Sequence, residues 1–244
     1  LDLEIGIAKT ARRAYGFDDI AIVPSRRTRD PDDVDLSWEI DAYRFKIPML
    51  AAAMDAVVSP ASASEIGRLG GLAVLNLEGL QTRYEDADAV LKRISAAPQE
   101  SATQLMQQLY TEPIKEELIY KRIGELKESG IITAASLTPP SVEKYAKIVL
   151  DAELDILVIQ GTVVSAEHLS TKTEPLDLKK FIATYDLPVI VGGCASYAAG
   201  LHLMRTGAVG VLVGVGPGAA CTSRQVLGIG VPQATAIADV AAAR

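Results

Sequence analysis

The chain is poor in aromatic and sulfur chemistry: Phe, Trp and Tyr make up 5% of its 244 residues, with one Trp, two Cys, two His and four Met. Two cysteines, Cys194 and Cys221, cannot build a disulfide scaffold, so each thiol is left to packing or to chemistry. His168 and His202 are the only histidines. No metal-ligand spacing, Ser/His/Asp order or phosphate-cradling Walker loop is present. His202 falls between Leu201 and Leu203 and reads as a surface or packing residue, and His168 has no identifiable partner. No apolar run reaches the ~18 residues that a membrane-spanning helix needs, and the longest, residues 47–58, is broken by Asp55. Positive charge is in deficit, 24 Lys and Arg against 31 Asp and Glu, for a net charge of −7. That balance argues against nonspecific attraction to nucleic acid or to an anionic membrane. The acidic start, LDLEIG, carries neither a secretory signal nor an initiator Met. A processed or partial chain in a reducing cytoplasm is the expectation.

What is abundant is aliphatic. Apolar residues reach 49% and charged residues 23%, with a mean hydropathy of +0.20. This composition suits strands buried on both faces, as in parallel sheets. Six aliphatic runs, each followed by a helical pattern, predict parallel strands over residues 47–53, 72–76, 131–137, 156–161, 188–193 and 209–214. Ser59-Pro60 predicts a capped helix start, with Ile66 and Leu69 as its stripe and Gly70-Gly71 as its stop. Val142, Tyr145, Ala146 and Val149 share one helical face. Tyr197, Leu201 and Met204 are expected to share another, ended by Gly207. Residues 86–130 are long and charged and read as an all-helical excursion within one domain. Residues 24–35 (PSRRTRDPDDVD) read as a solvated charge run. Six βα units are too few to close an eight-stranded barrel. The alternatives are a doubly wound sheet, a chain that stops early, or further strands beyond these residues.

In parallel α/β folds function gathers at the carboxyl ends of the strands. Here those ends carry Met54-Asp55, Asn76, Ser136, Gln160-Gly161-Thr162, Gly192-Gly193-Cys194, and the run Gly214-Val-Gly-Pro-Gly-Ala-Ala-Cys221-Thr-Ser-Arg224. The alternating Gly214, Gly216 and Gly218 let backbone approach a ligand closely. The run is not a dinucleotide fingerprint, since Cys221 replaces the third glycine and Pro217 removes an amide. A thiol in a small-residue loop at this end of a sheet is placed to act as a nucleophile, against the alternative of a buried structural cysteine. Cys194, on a tight Gly-Gly-Cys turn, fits a packing or ligand-wall role. The four methionines read mostly as core, with Met54 at a strand mouth able to touch a flat ligand.

These pieces together resemble the IMP dehydrogenase and GMP reductase family, and most of all its short IMP dehydrogenase-related branch. The resemblance rests on Tyr15-Gly-Phe-Asp-Asp-Ile-Ala-Ile-Val-Pro24, Ala-Ala-Met54-Asp55, Gly70-Gly71, Val191-Gly-Gly193, and the stretch from Gly214 through Cys221-Thr-Ser-Arg to Gly228-Ile-Gly-Val-Pro-Gln233. It implies a single catalytic (β/α)8 TIM barrel over residues 1–244, incomplete at its C-terminus. It also implies conversion of IMP to XMP with NAD+ as cofactor: the Cys221 thiolate attacks purine C2, hydride passes to NAD+, and water releases the product. Reductive conversion of GMP to IMP with NADPH is the alternative within the family, and a catalytically silent nucleotide-binding regulator is the alternative outside enzymology. By the same resemblance Cys221 and Ser223 are catalytic, and Met54 and Ala219 lie on the substrate side. Gln160, Gly161, Thr162, Cys194 and Gly214 lie on the cofactor side. The carbonyls of Gly216, Gly218 and Cys221 would bind potassium, and the assembly would be a homotetramer.

The chain departs from the family pattern at several of these positions. Ala51 and Ala219 stand where serine is common, the second being a phosphate ligand. Gln160 replaces a ribose-binding aspartate, and Cys194 replaces an asparagine. The excursion is too short for the paired CBS modules often inserted there. The family's ribose-binding, phosphate-binding and flap segments would follow residue 244. A protein made only of these residues is therefore expected to be inactive and poorly stable.

Overall fold

The structure is a computed structural model, and it describes residues 2–168, 171 and 175–244. In chain order it contains β1 (Asp2–Gly6), β2 (Lys9–Arg12), β3 (Trp38–Ile40), β4 (Tyr43–Phe45), β5 (Leu50–Ala51), α1 (Pro60–Arg68), β6 (Leu72–Asn76), α2 (Ala87–Ser95), α3 (Gln99–Leu109) and α4 (Glu116–Glu128). It continues with β7 (Ala134–Leu137), α5 (Pro139–Asp151), β8 (Ile156–Gln160), α6 (Leu178–Thr184), β9 (Val189–Cys194), α7 (Tyr197–Met204), β10 (Gly210–Val213), α8 (Ser223–Leu227) and α9 (Gln233–Ala241).

Strands β5 to β10 form one parallel sheet in which spatial order follows chain order. A doubly wound sheet would reverse its order at a switch point, so this monotonic order excludes it. The helices pack against one face of the sheet and not the other, and the sheet is the partial wall of a TIM-type barrel. The two faces of the sheet feed two cores. Leu75, Ala135, Leu157 and Val189 pack outward against helix residues such as Ile119, Ile123, Val142 and Val149. Leu72, Val74, Ala134, Ile156, Val158 and Ile190 point the other way, toward the barrel interior, and pack with Ile40 and Phe45 of the β3–β4 hairpin. That hairpin covers the amino ends of the strands. Trp38 Nε1 donates to the Ile47 carbonyl at 2.6 Å, and Tyr43 Oη donates to Asp155, just before β8, at 3.1 Å.

Several expectations from the sequence change here. Residues 47–53 form a strand only at Leu50–Ala51. Pro48 offers no amide hydrogen, and the Ile47 N–H is turned to the Gly70 carbonyl. Residues 131–133 do not join β7, because the Thr133 N–H is captured by the Asp155 carboxylate at 2.7 Å. The expected stripe on α7 is rotated: Tyr197 is half exposed, and the buried positions are Gly200 and Leu203. Gly200 is the contact point with α9, where a Cβ would lie 2.8 Å from Val240 Cγ1. Of the methionines expected in the core, Met49 and Met106 are exposed, and Met54, set apart as a strand-mouth residue, is exposed too. Met204 alone packs against the core. The α5 face, the α1 cap at Ser59, and the solvated run 24–35 are as read from the sequence. The excursion is three helices, α2 to α4, with a small core of its own around Leu80, Ala87, Val90 and Leu109.

Candidate active site

Two cavities open at the carboxyl ends of the strands. One, of about 520 Å3, is lined by Gly216, Gly218, Ala219, Cys221, Arg224 and Gln225. The other, of about 400 Å3, lies beyond β7 and β8 and includes Thr138, Pro139, Gly161, Val163 and His168 in its lining. Of the sequence-derived candidates, five line one cavity or the other, whereas Met54, Gln160, Thr162, Cys194, Gly214 and Ser223 line neither. Cys221 shares the first with Ala219, Gly216 and Gly218, and Gly161 belongs to the second.

The loop after β10 is held as a compact unit. Val215 and Val231 form an antiparallel bridge, with the Val231 N–H donating to the Val215 carbonyl at 3.0 Å. Gln233 Nε2 reaches back to the Val213 carbonyl at 2.9 Å. Gly216 sits at φ +69°, and a Cβ there would lie 3.1 Å from the Ile229 carbonyl, so both backbone conformation and space call for glycine. The loop presents Cys221 exposed, with its Sγ 3.4 Å from Ser223 Oγ. Hydrogen bonds from the Ser223 hydroxyl and then from its backbone favour the thiolate and hold the Cys221 pKa below the ordinary thiol value. An exposed thiol with a depressed pKa is a competent nucleophile.

Cys194 has the opposite environment. It is 1% exposed at the end of β9, within the main core, and burial pushes its thiol pKa up. Its side chain packs, and it offers no wall to a ligand. Its carbonyl accepts the Gly214 N–H at 2.8 Å, tying β9 to the start of the cysteine loop. Gly161 and Gly192–Gly193 are similarly laced: the Gly161 N–H donates to the Gly192 carbonyl at 2.9 Å and the Gly193 N–H donates to the Gly161 carbonyl at 3.1 Å. Gln160 is half-buried, and Thr162 is exposed. Met54 stands 54% exposed beyond β5. Among the described residues no hydrogen bond joins Cys221 to Met54, Gln160 or Thr162.

Sequence alone placed Asp55 and Arg224 at strand ends without giving them a role, and it passed over Gln225 and Glu78. Arg224 and Gln225 line the Cys221 cavity, and their place in the run after Cys221 was the available signal. Glu78, beyond β6, accepts from Thr138 N at 2.5 Å and from Ser141 Oγ at 2.5 Å, so it caps α5 from a neighbouring strand end. Asp55, 8% exposed, accepts from Leu80 N at 3.1 Å and from the hydroxyl of Tyr110. Nothing local in the sequence marks contacts across such separations.

Comparison with known proteins agrees with this geometry. Residues 14–244 match the family model of the IMP dehydrogenase / GMP reductase domain. An uncharacterized oxidoreductase of Mycobacterium tuberculosis is 48% identical over 248 residues, covering 99% of this chain and 66% of the relative. The inosine-5'-monophosphate dehydrogenase of Methanocaldococcus jannaschii is 25% identical over 321 residues, covering 95% of this chain and 64% of the relative. The crystal structure of an IMP dehydrogenase/GMP reductase-like protein from Corynebacterium glutamicum superposes with a TM-score of 0.93 at 46% identity, covering 100% of this chain and 64% of that one. The chain thus spans about two thirds of the length of the relatives it matches. With the monotonic parallel sheet, the exposed cysteine beyond β10, and a domain match over nearly every residue, the chain belongs to the IMP dehydrogenase / GMP reductase family.

Proposed function

We propose that the chain carries the nucleophile half of an IMP dehydrogenase, an oxidoreductase that converts IMP to XMP through a covalent adduct on Cys221. The observation that carries this reading is Cys221 itself: exposed, in a cavity at the carboxyl end of the sheet, with Ser223 favouring its thiolate. In the reaction the thiolate sulfur forms a bond to purine C2. The C2 hydrogen would then leave with its electron pair to a bound nicotinamide acceptor; water adds at the oxidised C2 and gives up a proton, the sulfur–carbon bond breaks, and XMP leaves with the thiolate restored. Ser223 steadies the thiolate at the start and again as it departs. Met54 offers an exposed thioether against the flat purine. Ala219, which lines the Cys221 cavity, gives the phosphate no hydroxyl, so the phosphate contacts come from backbone or from other residues.

NAD+, when bound, supplies the hydride acceptor. The cavity beyond β7 and β8 fits its nicotinamide end in kind: Gly161 removes a Cβ from its wall, and Thr138 and His168 place polar groups there. Gln160, Thr162 and Gly214 complete the proposed cofactor side. The backbone oxygens of Gly216, Gly218 and Cys221 suit a monovalent cation chemically. The Gly218 carbonyl, however, already accepts the Cys221 N–H at 3.1 Å. No step here depends on potassium. The reading extends to a cytoplasmic homotetramer, which sedimentation of the whole protein checks.

The test is turnover by the whole protein with IMP plus NAD+ and with GMP plus NADPH, followed by nicotinamide absorbance, with Cys221→Ala in parallel. NADH formation that vanishes in the alanine variant is the expected result. Turnover surviving in that variant removes Cys221 from its role. Oxidation of NADPH by GMP alone assigns the reductase direction. Nucleotide binding with neither turnover assigns a silent regulator.

A further inference from the structure

The helical excursion reaches into the strand-end turn that displays Met54. Tyr110 directly follows α3, and its hydroxyl donates to Asp55 Oδ2, the same oxygen that accepts Leu80 N–H at 3.1 Å. Asp55 is 8% exposed, and its Oδ1 has no partner. That oxygen lies so close to Gly79 that a Cβ there would stand 1.9 Å away. The carboxylate is therefore boxed in, and two donors from outside its own segment hold it. Tyr110 is fixed in turn. The Arg83 guanidinium lies 5.8 Å from its ring centroid, and Arg83 also donates to the Glu78 carbonyl at 3.0 Å and to the Glu112 carbonyl. The Met54 carbonyl accepts from Val57 and Val58 N–H at 2.8 and 2.9 Å, and the Val58 side chain is fully buried. Asp55 is the polar side chain that locks this turn from the other side.

The geometry points to Tyr110 as a positioning residue: through Asp55 it fixes the turn that presents Met54, so that an excursion helix sets how firmly the nucleotide is held. The consequence for binding rests on the proposed purine contact of Met54, whereas the positioning contact does not. A buried carboxylate deprived of one of two donors is destabilised and shifts toward another arrangement, and the adjoining residue moves with it.

The experiment uses methyl-labelled methionine in the whole protein, where the four methionines of this chain are separable by single Met→Leu substitutions. In Tyr110→Phe the Met54 methyl resonance is expected to move while that of Met204 stays. Arg83→Gln, which withdraws the guanidinium but leaves the phenol, should move Met54 the same way and by less. It also serves as the second variant should Tyr110→Phe fold poorly. A Met54 resonance unchanged in both overturns the proposal. On the activity side, KM for IMP should rise about fivefold in Tyr110→Phe with kcat within about twofold, the pattern of lost uniform binding. A shifted Met54 with unchanged KM upholds the positioning role and instead counts against Met54 as a purine contact.

Discussion

Replacing Asp155 by alanine should destabilise the fold by about 3–4 kcal/mol while leaving the cysteine site intact. Asp155 stands at the amino end of β8, the end that in barrels serves stability more than chemistry. Its Oδ2 accepts from Thr133 N at 2.7 Å and from Thr133 Oγ1 at 2.8 Å, and its Oδ1 accepts from Tyr43 Oη at 3.1 Å. Thr133 is fully buried, so its amide would be left with no partner and no water. A buried orphan donor costs about 1–3 kcal/mol, and a hydrogen bond to a charged group contributes about 1.5–3 kcal/mol. The Tyr43 hydroxyl is partly buried and recovers some of its loss from solvent. Asp155→Asn keeps one carbonyl oxygen for Thr133 and should lose only about 1–2 kcal/mol. For a chain of this size the alanine variant corresponds to a fall in Tm of roughly 6–16 °C. Urea titration with matched m-values gives the free energies, and the rate of Cys221 alkylation in native buffer reports on the site. The reasoning is refuted by an alanine variant within about 1 kcal/mol of the parent, or by one whose alkylation rate falls as far as its stability.

Alkylation by iodoacetamide should modify Cys221 and spare Cys194 in the native protein, as peptide mass spectrometry would read. Because the Cys221 pKa is lowered, its thiolate persists below the ordinary thiol midpoint, so the rate should hold as pH falls through that value and drop only lower. Ser223→Ala removes the largest cause and should move the midpoint up. Gly200→Val places a branched side chain against Val240 and should cost about 1–3 kcal/mol by urea titration, although glycine is the poorer helix former. Gly79→Ala drives a methyl into Asp55 Oδ1 and should destabilise by a similar 1–3 kcal/mol or so, with the methyl resonance of Met54 displaced as in Tyr110→Phe.

The aliphatic runs of β6, β8 and β9 determined their strands almost to the residue, because a strand buried on both faces can be built from little else. The same holds for the face of α5, for the Ser59 cap, and for the glycine-spaced loop that ends in Cys221, where local spacing carries the physics. The β3–β4 hairpin was not legible, since three-residue strands owe their stability to tertiary partners, Trp38 with Ile47 and Tyr43 with Asp155, and not to their own pattern. Cys194 and Cys221 show the division most clearly. By sequence both are cysteines in glycine-rich strand ends. Only the tertiary structure buries one thiol in the core, where charge is penalised, and sets the other in solvent beside a serine that favours its thiolate. The Tyr110–Asp55 contact was beyond sequence for the same reason: its partners are 55 positions apart, and only the packing of the excursion on the barrel wall brings them together.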